Sequence, residues 1–591
     1  MKKIFLLTFT AATVLLYGCN KFLDRKPLDA SASSTFLNNE AEMDLGLNGV
    51  YASALWAVAN NVPLLYCIET TTDLAIRRTG NAEDLIAMGD AGPFLVSNGL
   101  TVTAWGQEYK LVARANQQLE GMKNGQANVD PKTYGRMRAE ILVLRAWAYF
   151  HLMSQFGDVP YYRVPLSTEE ILTLSRTPVA TIIPELYKDL DEAVTLFEAA
   201  NTPAVQVMGK VNKGVALGVK AKLALLIKDY NTAAAASKTV IDGAQYGLNP
   251  RYTDLFVLPG QQANVNREIM FNQTYPTDIL DPQNWLAVIT IPRQVGTSQS
   301  SHFPSQQLVD KFETRDGLRI DASPLYDPAQ PSRNRDNRLR WTVYMPGDTM
   351  VHNTAKAPSL PYVQPKERTI FNIHSNQRFK WNWTTNKFDT LANNIDWINY
   401  LTSPWFAGAT GSSGGVGYIW RKYVDSTQYS WETKTGYILM RYAEILLTYA
   451  EAKIELNQID ASVNNAINLV RIRAGQPAVT AVAQSQLRQV VRRERAVEFA
   501  AEGLRLYDLR RWDLVLPAMN GPVIGAAKNP AEVPAVPVLN VDDNPDYSNS
   551  VSRRISTRGQ TRSNTAKNKL WPIPQGEIDK DKNITQNAGW Q

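Results

Sequence analysis

Apolar side chains recur every third or fourth position through long stretches of this chain, the spacing that lines one face of a helix. The pattern predicts helices over 36–58, 105–122, 131–157, 182–200, 212–228 and 232–243. The 131–157 segment, with RMRAEILVLRAWAYFHLMSQFG, also carries its own boundaries. Asp130 can cap the start, Pro131 suits a first turn, and Gly157 and Pro160 mark the stop. From about 250 to 435 prolines, glycines, asparagines and aromatics break the period, and short strand-like runs appear, such as GYIWRKYV at 417–424. Helical spacing returns at 437–456, where Leu439, Tyr442, Ile445, Leu446 and Tyr449 fill one face, and continues at 461–474 and 486–506. The stretch 517–545 is studded with proline and predicts an irregular excursion.

Two stretches repeat each other weakly. LALLIKDYNTAAAASKTVID at 223–242 and IELNQIDASVNNAINLVRIR at 454–473 each offer a helix end, a tight turn, an Asp and an Ala-starting helix. Two antiparallel helices with small residues at the crossing build a tetratricopeptide unit, and an ordinary helical hairpin is built the same way. The texture divides the chain into 1–18, a leader; 19–35, a tether; 36–250, helical; 251–435, loop-rich and aromatic; and 436–591, helical with a tail.

The leader opens MKK and runs from Ile4 to Tyr17 without a charge, the signature of an export signal and too short to span a bilayer. It ends in LLYGCN, which resembles the lipobox of bacterial lipoproteins, with Tyr17 bulkier than usual. That resemblance implies cleavage before Cys19 and lipidation of its thiol and amine. Several acyl chains, at roughly 0.8 kcal/mol per buried CH₂, anchor a protein stably where one does not. An ordinary cleaved signal with an incidental cysteine is the alternative. The second cysteine, Cys67, sits in apolar NNVPLLYCIE and reads as a buried small hydrophobe.

Composition is that of a folded protein, 44% hydrophobic and 20% charged, over 591 residues. The net charge of +6 arises from 62 basic and 56 acidic residues, mostly interspersed, and does not demand nucleic acid. One basic stretch stands out: 552–569 holds Arg553, Arg554, Arg558, Arg562, Lys567 and Lys569 and no acid. It reads as a solvated loop, with an anionic ligand or lipid headgroups as the sharper alternative.

Signals for catalysis are poor. His151, His302, His352 and His374 form no metal-binding spacing, and His151 lies in a helix full of aromatics, a structural setting. GSSGGVG at 411–417 lacks the Lys-Ser/Thr of a phosphate loop and reads as a turn. In RRERAVEFAAEGLRLYDLRRW, residues 492–512, Glu494, Glu498 and Glu502 fall one helical turn apart. Paired carboxylates serve glycoside hydrolysis. The neighbouring Arg495, Arg505, Arg510 and Arg511 would hold them ionised, and a general acid needs the opposite. An ion-pair network is the expectation, with no catalytic residue, metal or cofactor.

The aromatic signal is stronger. Trp285, Trp341, Trp381, Trp383, Trp397, Trp405, Trp420 and Trp431 lie in polar, loop-like sequence, eight of the fourteen tryptophans. Aromatic faces stack on the C–H faces of sugars while polar neighbours bond the hydroxyls. WNW at 381–383 would set two rings on one side of a strand. The candidate ligand-binding residues are therefore Trp285, Trp381, Trp383, Trp397 and Trp405, with Arg378 and Asn382 as polar companions. Trp105, Trp147 and Trp512 sit in helical patterns and read as core.

Taken in order, several stretches resemble the SusD/RagB family of Bacteroidetes lipoproteins: CNKFLDRKP; WGQEYKLVARANQQLE; AEILVLRAWAYFHLMSQFGDVPYY; PSQQLVDKFETRDG; RNRDNR; MRYAEILLTYAEAKIEL; RRERAVEFAAEGLRLYDLRRW; and LWPIPQGEID. The resemblance covers nearly the whole chain after Cys19. It implies a mainly α fold, a SusD-like scaffold of tetratricopeptide-like helix pairs with an irregular, partly β region for the ligand. It implies non-catalytic capture of oligosaccharides, and a partner, a SusC-like TonB-dependent outer-membrane transporter on which the protein sits as a lid. It implies attachment to the outer membrane through Cys19, facing outward, although Asn20, Lys21 and Phe22 supply no acidic surface-export signal. A peptide-binding lid of the same transporter type, a surface glycosidase and a structural envelope repeat protein are the alternatives.

Overall fold

Asn39, Asn98, Asp130, Asn212, Asp229 and Asp460 each accept a hydrogen bond from a backbone N–H in the first turn of the helix that follows. Such caps satisfy N–H groups that a helix start leaves without internal partners. The helices they open are Glu40–Ser53, Gly99–Gly121, Pro131–Phe156, Lys213–Leu226, Tyr230–Asp242 and Ala461–Arg473. With Val179–Ala199, Tyr442–Glu455 and Gln484–Glu498 they form the scaffold of this computed structural model. The residues described are 36–77, 96, 98–203, 209–263, 267–275, 284–295, 300–352, 367–392, 416–429, 433–527, 529, 531, 533–550 and 554–590. Cys19 and its tether, Trp397, Trp405, Trp431 and most of 411–417 lie outside them.

Each helix packs on the next in chain order from Glu40–Ser53 to Tyr230–Asp242. Tyr230–Asp242 then packs on Tyr442–Glu455, which receives Ala461–Arg473 and Gln484–Glu498. Residues 243–441 are thus inserted between two successive helices of one row. Pro131–Phe156 lies at the centre: every residue from Ala139 to Phe156 is buried, so its pattern is apolar nearly all round.

The weak repeat is a real structural one. Lys228 and Asn457 both take the left-handed conformation, at φ 61° and 54°. One residue on, Asp229 N donates to Ala224 O at 2.8 Å and Gln458 N to Lys453 O at 2.9 Å. These are the 6→1 bonds of a Schellman helix end. Asp229 and Asp460 then cap the second helix of each pair. Among alanines of the first pair, Ala233, Ala234 and Ala236 are buried, letting the two backbones approach.

The structure corrects four boundaries. Tyr437–Arg441 is a strand, not the start of a helix, and pairs antiparallel with Ile269–Gln273 before the Tyr442–Glu455 helix begins. Of 417–424 only Ile419–Trp420 is strand, paired with Val343–Tyr344. The 486–506 helix stops at Glu498 and a second, Arg505–Arg511, starts after a turn. Ala501 at φ 68° and Gly503 at φ 76° make that turn, and a Cβ on Gly503 would come within 2.5 Å of Leu65 O. The basic stretch is not all loop: Arg554–Arg562 is a strand paired with Gly521–Ala527, which itself lies inside the proline-studded 517–545, while Lys567 and Lys569 beyond it are exposed. Arg562 is buried and donates to the carbonyls of Thr70, Thr72 and Ala75, while Lys569 pairs with Asp513 at 2.6 Å.

Candidate functional site

The inserted region builds a four-stranded antiparallel meander from Thr349–His352, Glu367–Ile370, Gln377–Asn382 and Lys387–Ala392. Side chains alternate between the two faces of a strand, so register decides what meets what. Thr369 pairs with Lys380, which sets Arg368 opposite Trp381 and Ile370 opposite Phe379; Phe388 pairs with Trp381 from the other side. The opposite face holds Met350, His352 and Thr369, at most 4% exposed, and is the inward one. Burial, with Lys380 nearby, drops the His352 imidazole to about 3, so it stays neutral there.

Phe379, Trp381 and Phe388 therefore share the outward face with Arg368. The rings of Trp381 and Phe388 lie 5.1 Å apart, edge to face. Trp383 starts the turn just past the strand and completes the group, its ring 6.3 Å from that of Trp381. The Arg368 guanidinium sits 5.6 Å from the Trp381 centroid and 4.7 Å from that of Trp383, a cation–π bridge holding the two rings. Trp383 remains 46% exposed. The Trp381 Nε1–H is buried with no hydrogen-bond partner among the described residues.

This face runs into a cleft. Ile370 and Phe379 are part of the lining of a cavity of about 1030 Å³, whose far wall is the 326–340 segment, a loop that runs into the helix Asn337–Thr342, with Tyr326, Arg333, Asn334, Arg335, Asn337 and Arg340. Phe371, Asn372, His374 and Ser375 carry the near wall, with Ala526, Ala527, Val533 and Pro534 from the C-terminal part. Arg335 anchors the loop: it is buried, lies 5.2 Å from the Tyr326 ring, and donates to the carbonyls of Val309, Phe312 and Pro331 at 2.6–2.7 Å. His374 bonds Ala527 O through Nε2 at 3.0 Å, tying the two walls together. The volume suits several sugar rings, and the lining mixes ring faces with amide, hydroxyl and guanidinium groups. A second cavity, of about 610 Å³, lies by Tyr51, Lys210, Phe271 and Tyr275.

The structure brings Trp381 and Trp383 together, as the WNW spacing suggests. It puts Arg378 and Asn382 on the other face of the strand. Arg378 reaches toward Gln294 O at 3.5 Å, and Asn382 bonds Asp389 at 2.9 Å and caps the turn through the N–H groups of Thr384 and Thr385. Trp285 packs half-buried against the core. Trp341 stacks half-buried on Tyr252 at 5.6 Å, and Trp420 is fully buried in the core. Trp397 and Trp405 lie outside the described residues. Trp105 and Trp147 are core, but Trp512 is only half-buried, with Arg492, Arg505 and Arg511 within 6 Å of its ring. Sequence reasoning missed Arg368, Phe379, Phe388 and the 326–340 segment as site residues; alternation in QRFKWN marks Phe379 with Trp381, and RNRDNR at 333–338 signals family likeness but not a cleft wall.

The glutamate stripe is an ion-pair network, with partners other than those its own segment suggests. Glu494 binds Arg338 and Arg471, Glu498 binds Arg338, Arg441 and Arg473, and Glu502 binds Arg441 and Lys422. Arg441 also meets Glu268 at 2.8 Å. Burial pushes the Glu498 carboxyl up, but Arg473, Arg441 and Arg338 outweigh it and hold it well below the ordinary range. The nearby arginines serve other acids: Arg495 and Arg511 bind Asp508, and Arg505 forms a two-pronged pair with Asp73 at 2.8 Å. None of the three glutamates lines the cleft. His151 is likewise structural, buried among Trp56, Trp147 and Phe150 with Nδ1 2.8 Å from the Tyr507 hydroxyl. Cys67 is free and buried, its thiol pushed up to about 12 by desolvation.

Known proteins share this architecture. A carbohydrate-binding SusD-like protein of Bacteroides fragilis superposes with a TM-score of 0.73 at 24% identity, covering 93% of this chain and 100% of that one. A laminarin-binding SusD-like protein superposes with a TM-score of 0.62 at 18% identity, over 93% of this chain and 100% of its own. In sequence, SusD-like protein P2 of Formosa agariphila is 26% identical over 545 residues, 87% of this chain and 91% of that protein. Residues 21–225 match the family described as starch-binding, associating with the outer membrane, and residues 259–590 match the SusD family. With more than half of its length so matched, the chain belongs to the SusD family.

Proposed function

We propose that this protein captures oligosaccharides at the outer membrane without cleaving them. The observation that carries this reading is the aromatic face of Phe379, Trp381, Trp383 and Phe388 running into a cleft of about 1030 Å³ that mixes apolar and polar side chains. Rigid rings give stacking area at low entropic cost, and the amide and hydroxyl groups beyond them can read sugar hydroxyls. Laminarin binding by one structural neighbour and surface glycan binding by another, from Bacteroides uniformis, support the ligand class. The ion-paired state of Glu494, Glu498 and Glu502 argues against a glycosidase built on them. Lipid on Cys19 would hold the protein at the membrane, facing outward, and a SusC-like TonB-dependent transporter would take the captured glycan. Native electrophoresis of the full chain through gels containing polysaccharides tests the reading. Retardation that Trp383→Ala weakens roughly tenfold is the expected result, a loss of about 1.4 kcal/mol. Retardation equal in the variant would refute the role of this face.

A further inference from the structure

The cleft lining is electrostatically one-sided. Among the described residues it presents four guanidinium groups, Arg315, Arg333, Arg335 and Arg340, against one carboxylate, Asp336. Asp336 is already committed, because Arg338 binds both its oxygens, at 2.7–3.2 Å. Arg335 is buried and bonded only to carbonyls, which orient a cation without neutralising it, and its Nε–H has no partner among the described residues. Arg315, Arg333 and Arg340 are exposed. Among the described residues Arg333 bonds the Gln330 amide at 3.3 Å, and Arg340 bonds Ser332 at 3.1 Å, with Asp348 no nearer than 3.9 Å. Tyr326, Phe371 and Phe379 supply ring edges and faces between these cations.

A neutral glycan can accept hydrogen bonds from these guanidinium groups but leaves their charge unmatched, whereas a chain bearing anions at intervals matches it. The guanidinium fork matches the paired oxygens of carboxylates and sulfates, and a concave wall of one sign focuses the field on a ligand of the other. We infer that the cleft beside the 326–340 segment takes an acidic oligosaccharide, one carrying uronate or sulfate groups, with Arg315, Arg333 and Arg340 as its anion contacts. The inference rests on the glycan-capture reading and names the ligand class for the same site.

The test is native electrophoresis of the full chain through polygalacturonate, carrageenan and laminarin, a uronate chain, a sulfated galactan and a neutral glucan, with polyglutamate as a charge control. Arg333→Gln combined with Arg340→Gln removes two exposed cations, and an unchanged thermal midpoint confirms the fold. The expected result is stronger retardation by an acidic polysaccharide than by laminarin. That retardation falls at least about tenfold in the double variant and declines with added salt. Retardation by laminarin alone, or acidic binding that survives the double variant but not Trp383→Ala, overturns the acidic-ligand inference and leaves glycan capture standing. Polyglutamate retained as strongly as polygalacturonate also overturns it, because the surface then reads charge and not sugar. Retardation by none of the polysaccharides overturns both.

Discussion

Glu498→Gln is the sharpest perturbation of the buried charge network. Glu498 is fully buried and accepts hydrogen bonds from Arg441 at 2.6 Å, from Arg338 at 3.0 Å and from Arg473. The amide keeps the shape, removes the charge, and turns one acceptor into a donor facing guanidinium groups that can only donate. Arg338 retains Asp336 and Glu494, and Arg441 and Arg473 retain Glu268, so the loss is one broken link and not a collapse. Breaking one member of a buried ion-pair set costs about 3–5 kcal/mol. The carboxyl is held below its unfolded value of about 4.3, so its contribution is complete above that pH and is lost as pH falls through the folded value. Urea unfolding of the two proteins should therefore differ by that amount at neutral pH, and the gap should narrow below pH of about 4. A difference under about 1 kcal/mol at neutral pH, or a gap that widens on acidification, would refute the view of Glu498 as a paired, ionised structural group.

Three other outcomes follow from the geometry. Gly503→Ala should destabilise by roughly 1–3 kcal/mol in thermal unfolding, because its φ of 76° and the 2.5 Å approach of Leu65 O leave no room for a Cβ; an unchanged midpoint would contradict it. Cys67 should resist thiol reagents in the folded chain at pH 8 and react once urea is added, given its burial and a thiol pushed up to about 12. Asp229→Ala and Asp460→Ala should each cost about 1 kcal/mol as lost helix caps, with like effects at the two repeat-related positions; a cost at one position only would argue that the repeat is not energetically equivalent.

The helical row was legible because its helices carry both a period and caps, as in 131–157, where Asp130 and Pro131 stand at the observed start. The misreading at 437–441 has a physical cause. All five residues of that strand are buried, so neither two-residue alternation nor an exposed side marks it. In 486–506 the apolar and charged spacing continues smoothly through the break, which two left-handed residues, Ala501 at φ 68° and Gly503 at φ 76°, and the proximity of Leu65 make. The network around Glu498 was foreseeable as chemistry but not as partners, since Arg338, Arg441 and Arg473 come from three separate elements. The same reason hid most of the cleft. WNW signalled the aromatic face, but the cleft's walls join residues from 315–347 and 370–379 with Ala526, Ala527, Val533 and Pro534, which only the tertiary fold brings together.

The central claim is glycan capture by the aromatic face and its cleft. The most direct measurement is tryptophan fluorescence of the full chain during titration with polysaccharide fragments, comparing the unsubstituted protein with Trp383→Ala. Capture on this face predicts a saturable change in emission that the substitution diminishes together with affinity, while the thermal midpoint stays put. A saturable change that is identical in the variant, or no change with any glycan, would contradict it.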